Sequence, residues 1–209
     1  MLNNYKLDSN GVIKQIKINK ISYDERYINN RYNTYNSGEN MSFSRLGYLL
    51  GVLKDEKISS ILDVGYGNGD FLKTASKYIE KCVGSDIPPM YPLPKHIKTV
   101  ESIYDDNYDV ICFFDSLEHF DDIYEIKNLN TKYVYISVPW CHNLSAEWFD
   151  NWKHRREDEH LWHFNLPSLT KFFASIGYEL VGNSNIEDII RTPYDENLPN
   201  ILSAVFKKI

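Results

Sequence analysis

Cysteine is scarce in this chain: three in 209 residues, at Cys82, Cys112 and Cys141. They stand far apart, and no C-x-x-C pair offers a zinc or dithiol motif. Cys82 and Cys112 sit in the apolar runs Lys81-Cys82-Val83 and Ile111-Cys112-Phe113, where a buried, reduced thiol is the ordinary expectation. Basic charge is in deficit, with 23 Lys and Arg against 29 Asp and Glu, a formal net charge of −6. That balance argues against broad contact with a nucleic-acid backbone, which needs a basic face. No apolar run reaches the roughly 20 residues of a membrane-spanning helix, and Met1-Leu2-Asn3-Asn4-Tyr5-Lys6 lacks the apolar centre of a signal peptide. The expectation is a cytoplasmic protein that binds neither membrane nor nucleic acid, as a monomer or homodimer. Internal repeats and low-complexity tracts are also missing.

What is present centres on Ser59 to Asp70, S-S-I-L-D-V-G-Y-G-N-G-D. Ile61, Leu62 and Val64 make a short apolar run, and Gly65, Gly67 and Gly69 follow at alternate positions. Phe71 to Ile79 then carries a helical pattern, with Leu72, Ala75 and Ile79 on one face. Strand, glycine turn and helix form the opening unit of a nucleotide-binding α/β domain.

Taken in order, residues 1–40 read as an N-terminal appendage and 41–209 as the main domain. Tyr5-Lys6-Leu7, Asp8 to Gly11 and Val12 to Ile18 read as strand, turn and strand, since Asn-Gly between apolar runs signals a hairpin. Tyr23, Tyr27, Tyr32 and Tyr35, with Arg26 and Arg31 among them, suggest an aromatic helix covering the domain. Ser42 to Leu53 predicts a helix with Ser42 as its cap and Leu46, Leu49, Leu50 and Leu53 toward a sheet. Lys81 to Asp86 and Ile97 to Ile103 read as strands, and Tyr108 to Asp115 as a buried central strand. A short helix is expected near Ile123 to Leu129 and a strand over Lys132 to Pro139. Residues 140–166 hold all four tryptophans and four of the six histidines, and read as an inserted lid without strands. Leu166 to Gly177 predicts a helix ended by glycine, and Tyr178 to Gly182 with Ile201 to Lys207 a final hairpin across a long linker. The fold class expected is α/β: a Rossmann-like, seven-stranded, mostly parallel sheet with helices on both faces, plus the hairpin and the lid. Ligands of such sheets bind at the carboxyl ends of the strands.

The glycine spacing departs from the dinucleotide pattern G-x-G-x-x-G, because Asp70 stands where the third glycine would fall. Asp70 in the first turn of a helix, with Asp63 close by, disfavours a phosphate there. A ligand with positive charge and no phosphate, such as S-adenosylmethionine, suits the turn better.

On these residues the chain resembles the class I S-adenosylmethionine-dependent methyltransferases, in their small-molecule type. The matching stretches are Leu62-Asp63-Val64-Gly65-Tyr66-Gly67-Asn68-Gly69, Gly84-Ser85-Asp86, and Tyr108-Asp109-Val110-Ile111 through Asp115-Ser116-Leu117-Glu118-His119. His163-Phe164 with Leu169 and Gly177-Tyr178 are similar to a late helix of that family. The resemblance implies that Asp63, Gly65, Gly67 and Gly69 border the methionine part of the cofactor. It implies that Asp86, with Ile87 beside it, holds the ribose, and that Asp115 and Ser116 line the methionine end. Glu101-Ser102-Ile103-Tyr104 matches the adenine-contacting stretch only approximately.

Methyl transfer needs alignment, exclusion of water and, for a protonated oxygen or nitrogen acceptor, a base. The candidates are His119, His160 and His163, since imidazole titrates near neutrality; His142 is a fourth lid histidine. Each lid histidine has packing as its ordinary alternative. His160 and His163 lie three apart and invite a metal with Glu157 or Cys141, but no adjacent ligand pattern completes a set, so no metal is expected. Arg155-Arg156 is either the surface counterpart of Glu157-Asp158-Glu159 or a clamp for an anionic acceptor. The expected function is methylation of a small molecule or glycan. The alternatives are a protein or nucleic-acid acceptor, or a non-catalytic cofactor-binding protein of the same fold. The N/D-P-P-Y type motif of base-amino methyltransferases is missing at Asp115-Ser116-Leu117-Glu118, which lowers a nucleic-acid target.

Overall fold

The computed structural model of the protein describes residues 4–19, 38–87, 91–193 and 197–209. The tyrosine-rich stretch expected to form a covering helix lies outside the described residues. The hairpin is present, as β1 (Tyr5–Leu7) and β2 (Ile13–Gln15), paired antiparallel. Gly11 supplies the left-handed turn residue at φ 80°, and Asp8 Oδ1 accepts from the backbone N–H of Asn10 and Val12.

Helix α1 (Gly38–Val52) follows. It begins a turn earlier than the Ser42 cap expected from sequence. Ser42 lies inside the helix, where its Oγ donates to Gly38 O at 2.6 Å, so the hydroxyl back-bonds within the helix and leaves its amino end alone. Leu46, Leu49 and Leu53 are buried, but Leu50 is 38% exposed. Four leucines span more of the helix circumference than one sheet face can cover.

The central sheet is built from β3 (Ser60–Val64), β4 (Lys81–Ser85), β5 (Lys98–Thr99), β6 (Tyr108–Phe114) and β7 (Thr131–Pro139), all parallel. Between them, α2 (Asp70–Ala75) follows the glycine turn, and 3-10 turns form at Leu117–His119 and Ile123–Asn128. After β7 come α3 (Ala146–Asn151), β8 (Trp162–His163), α4 (Leu166–Ser175), β9 (Tyr178–Ser184) and β10 (Ile201–Lys208). The sheet order is β5-β4-β3-β6-β7-β10-β9, with β10 antiparallel to both neighbours.

Period-two alternation sorts the apolar residues of the inner strands to two faces. Leu62, Val64, Ile111, Phe113, Val134 and Ile136 pack with α4 residues Leu169, Phe172 and Phe173. Ile61, Val110, Cys112, Phe114, Tyr133 and Tyr135 pack with α1 and α2 through Leu46, Leu49, Phe71 and Leu72. Each fully buried Leu or Phe contributes about 1.5–3 kcal/mol. All three cysteines are buried and free. The expected third strand shrinks to the two residues of β5, on the sheet edge with both side chains exposed; there an apolar run has no second neighbour to hold it extended. Helix α4 opens on a capping box formed by Asn165 and Ser168, and Gly177 (φ 87°) follows its end.

The lid differs from expectation in one respect: it contains a strand. β8 pairs antiparallel with β2, Ile13 opposite His163 and Lys14 opposite Trp162. Buried Gln15 extends the seam, donating to Asp158 Oδ1 at 2.7 Å while its Oε1 accepts from the Asp158 N–H at 2.9 Å. Hairpin and lid are thus one three-stranded unit. Among the described residues no helix is long and apolar enough to cross a membrane.

Candidate functional site

The carboxyl ends of β3, β4 and β6 meet around the glycine turn. Gly65, Gly67 and Gly69 all have positive φ (76°, 58° and 75°), a region that L side chains resist. Space is also tight: a Cβ on Gly65 would lie 2.7 Å from Ser116 Cβ, and one on Gly69, 2.1 Å from Leu93 Cδ2, would require that side chain to move. The Gly67 N–H donates to Asp86 Oδ2 at 2.9 Å, and the Ile87 N–H to Asp86 Oδ1 at 2.8 Å. Burial raises the Asp86 carboxyl, and those two N–H bonds oppose the rise. The Ile87 side chain is exposed.

Asp63 points from β3 into the same region and is 2% exposed. Its Oδ1 is buried with no hydrogen-bond partner among the described residues. Burial pushes its pKa up to about 7; the Arg45 charge pulls against this and Asp86 adds to it. Asp70, by contrast, is neutralised locally. It accepts from Asn68 Nδ2 at 2.8 Å and pairs with Lys73 at 3.1 Å.

The exit of β6 supplies the opposite wall. Asp115 sits at φ 52°, a conformation that costs a non-glycine residue about 1–2 kcal/mol and persists only where its surroundings hold it. Here Arg191 Nη1 donates to both Asp115 oxygens, at 2.9 and 2.7 Å, and Arg45 Nη2 lies 3.4 Å from Oδ2. Ser116 Oγ donates to Val64 O at 2.6 Å, tying this exit to β3. Behind Asp115, fully buried Glu187 accepts from Arg45 Nε at 2.7 Å and Nη2 at 3.0 Å, from Arg191 Nη1 at 3.1 Å, and from Ser137 Oγ. Burial would raise Glu187, but the two guanidinium groups outweigh it and hold the carboxylate below its ordinary range. Sequence patterns do not single out Arg45, Ser137, Glu187 or Arg191; Glu187 lies in the β9–β10 linker, where no periodicity or motif marks it.

The three candidate histidines separate. His119, on the turn after β6, and His160 in the lid meet edge to face, ring centroids 4.8 Å apart. Ligand atoms of Glu118, His119 and His160 all lie within 4.8 Å of one another. His163 points elsewhere, into a cage of Tyr5, Phe149 and Trp152. Burial there drives its pKa down to about 3, so it stays neutral. His160 and His163 do not share a helix: one precedes β8 and the other lies within it. Arg155 pairs with Asp150 at 2.7 Å and Arg156 with Glu159 at 3.0 Å.

Where the chain leaves β7 the lid forms a cavity of about 340 Å³, its lining including His142, Glu147, Trp148, Trp152, Lys153 and Pro199. Trp148 and Trp152 stack at 5.4 Å with 23° between planes, and His142 stacks on Trp140. A flat, polarisable wall with a cation beside it suits a planar or sugar-like ligand.

Residues 39–183, more than half of the chain, match the family model described as a methyltransferase domain. No curated protein sequence matches the chain. Solved structures do. A Haloferax volcanii protein in complex with the Trm112 methyltransferase activator is 14% identical, with 90% of this chain and 99% of that chain aligned at a TM-score of 0.63. The plantazolicin methyltransferase BpumL, solved with a monoazolic desmethylPZN analog and SAH, is 16% identical over 89% and 90% of the two chains, TM-score 0.60. The methyltransferase domain of a bacterial Hen1 is 17% identical over 80% and 99%, TM-score 0.55.

Proposed function

The chain belongs to the methyltransferase-domain family and is an S-adenosylmethionine-dependent methyltransferase, and from that premise we propose that it methylates a small molecule or a glycan in the lid cavity. The observation that carries the acceptor reading is the aromatic cavity of about 340 Å³ between the segment that follows β7 and the residues before β10, a volume in the small-ligand range of roughly 300–1,000 Å³.

In this reading the cofactor lies across the carboxyl ends of β3, β4 and β6. Gly65, Gly67 and Gly69 let it approach the backbone, and Asp86 accepts from the ribose hydroxyls. Asp63 faces the ammonium group, and Asp115 and Ser116 border the methionine end. Its buried, unpaired Oδ1 supports that role for Asp63, because a cation is what such an atom lacks. The Arg45–Glu187–Arg191 node keeps Asp115 in its strained conformation. Transfer itself is an in-line displacement: the acceptor's lone pair forms the bond to the methyl carbon as the S–C pair returns to sulfur. Glu118, His119 and His160 form a separate polar cluster at the β6 exit, outside the cavity lining; His163, sealed among aromatic rings, is assigned to packing.

Calorimetry with S-adenosylmethionine and S-adenosylhomocysteine tests the cofactor seat. Both should bind, and Gly67→Asp should abolish binding while leaving the fold intact by circular dichroism. Undiminished binding by that variant removes the glycine turn from the site. Screening sugars and planar hydroxylated compounds with labelled cofactor tests the acceptor class; transfer only to polypeptides would overturn it.

A further inference from the structure

The sequence offers no local metal motif, but the fold assembles a ligand set from two distant segments. We propose that Glu118, His119 and His160 bind a divalent transition-metal cation such as Zn²⁺ or Mn²⁺ at the β6 exit.

His160 is the ligand whose state is best defined. Its Nδ1 lies 2.9 Å from His154 O. A carbonyl oxygen only accepts, so Nδ1 carries the proton and the lone pair is left on Nε2. That Nε2 is buried and has no hydrogen-bond partner among the described residues, in a residue that is 3% exposed. A neutral imidazole with Nδ1–H held by a carbonyl and Nε2 left without a partner, in a ring set beside a carboxylate and a second imidazole, is the arrangement that metal-ligating histidines use.

The other two groups are placed by backbone. Leu161 N–H donates to Glu118 O at 2.8 Å, and Trp162 Nε1 donates to Phe120 O at 2.7 Å. These bonds stitch the lid onto the turn that carries Glu118 and His119, so His160 is held beside them. Ligand atoms within 4.8 Å of one another need only a small inward movement to surround a cation at the usual bonds of about 2.0–2.2 Å. Two imidazoles and one carboxylate select a borderline divalent ion and leave coordination positions open. Glu118 is buried and supplies the counter-charge.

The role of the ion, unlike its binding, rests on the methyltransferase reading. Only Leu117 separates Glu118 and His119 from Asp115 and Ser116, so in that reading the ion lies next to the methionine end of the cofactor. An acceptor hydroxyl bound there loses its proton to water more readily. Its oxygen then forms the O–C bond as the S–C bond breaks toward sulfur, giving a methylated oxygen and neutral S-adenosylhomocysteine.

Chelator-treated full-length protein should be titrated with Co²⁺, reading ligand-field absorption, and with Zn²⁺ and Mn²⁺ by calorimetry, without cofactor. One equivalent should bind. His119→Ala, at a half-buried position that tolerates truncation, and His160→Gln should each weaken binding at least tenfold, and His96→Ala should leave it unchanged. No binding by the wild type of any of the three ions, or equal affinity in His119→Ala, overturns the site. S-adenosylhomocysteine calorimetry on the metal-free protein separates the two ideas. Loss of that binding with the Co²⁺ signal intact sinks the cofactor reading alone, and the converse sinks the metal alone.

Discussion

Binding of S-adenosylmethionine should release a proton from Asp63. In the free protein burial holds this carboxyl near pH 7 rather than 3.8. Three pKa units correspond to about 4 kcal/mol between the two protonation states, an upper figure for what a neighbouring cation can recover. The cofactor's ammonium is that cation, so the bound complex keeps Asp63 ionised to well below pH 7. Below pH 7 the free protein must first lose the proton, and apparent affinity should fall about tenfold at pH 6 and approach a hundredfold at pH 5. Above about pH 8 the amino group of the cofactor loses its own charge, so affinity should peak between roughly pH 7 and 8. Calorimetry in buffers of different ionisation enthalpy counts the released proton directly. Asp63→Asn should bind more weakly at pH 7.5 and lose most of the slope between pH 5 and 7, leaving the smaller contribution of Asp86. Zero proton release at pH 6.5, or a slope unchanged in Asp63→Asn, would refute the assignment. The same shift bears on stability with a definite sign. A folded value above 3.8 means the group's stabilising contribution is complete below that pH and is lost as pH rises to about 7. Asp63→Asn should therefore flatten the decline in stability over that window.

Gly65→Ala combines a left-handed backbone with overlap against Ser116 Cβ and should lower unfolding free energy by about 2–4 kcal/mol in urea titration; a loss under ~0.5 kcal/mol would show the turn to be plastic. Arg45→Met leaves Glu187 buried with reduced compensation and should cost about 3–5 kcal/mol, and Arg45→Met combined with Glu187→Leu should be milder than the single change if the two act as a pair. Trp148→Ala should raise the acceptor KM several-fold without altering S-adenosylhomocysteine affinity, and equal loss of both would place the tryptophan outside the acceptor cavity.

Strands β3, β4, β6 and β7 are legible in the sequence because inner parallel strands are apolar on both faces, and a continuous run such as Val110 to Phe114 suits that setting. The glycine turn is legible because three alternate glycines beside an acid are a local signal. Edges are harder: β5 and β8 are two residues each, too short for any periodicity, and β8 is a strand only because β2 lies next to it. The ionic node is not legible at all. Arg45 meets Glu187 and Arg191 meets Asp115 across long stretches of chain, and nothing in the local composition announces partners chosen by the fold. The histidines illustrate both outcomes. Residue type alone selects them as candidates, but only the packing distinguishes His160, with a nitrogen lacking a partner beside Glu118, from His163, enclosed by Tyr5, Phe149 and Trp152.

The position of β10 also governs when the sheet can form. It is last in chain order yet lies inside the sheet, bonded to β7 along one side and β9 along the other. A nascent chain that has completed β7 exposes an unpaired apolar strand edge until some 60 further residues have emerged, roughly 3–12 s at 5–20 residues per second. During that interval β9 cannot dock correctly, since its correct neighbour does not yet exist. Pairing of β9 directly onto β7 would be parallel and would close the sheet one strand short. The long linker carrying Glu187 delays the arrival of β10, and the chain in this window is the form most exposed to edge-to-edge aggregation.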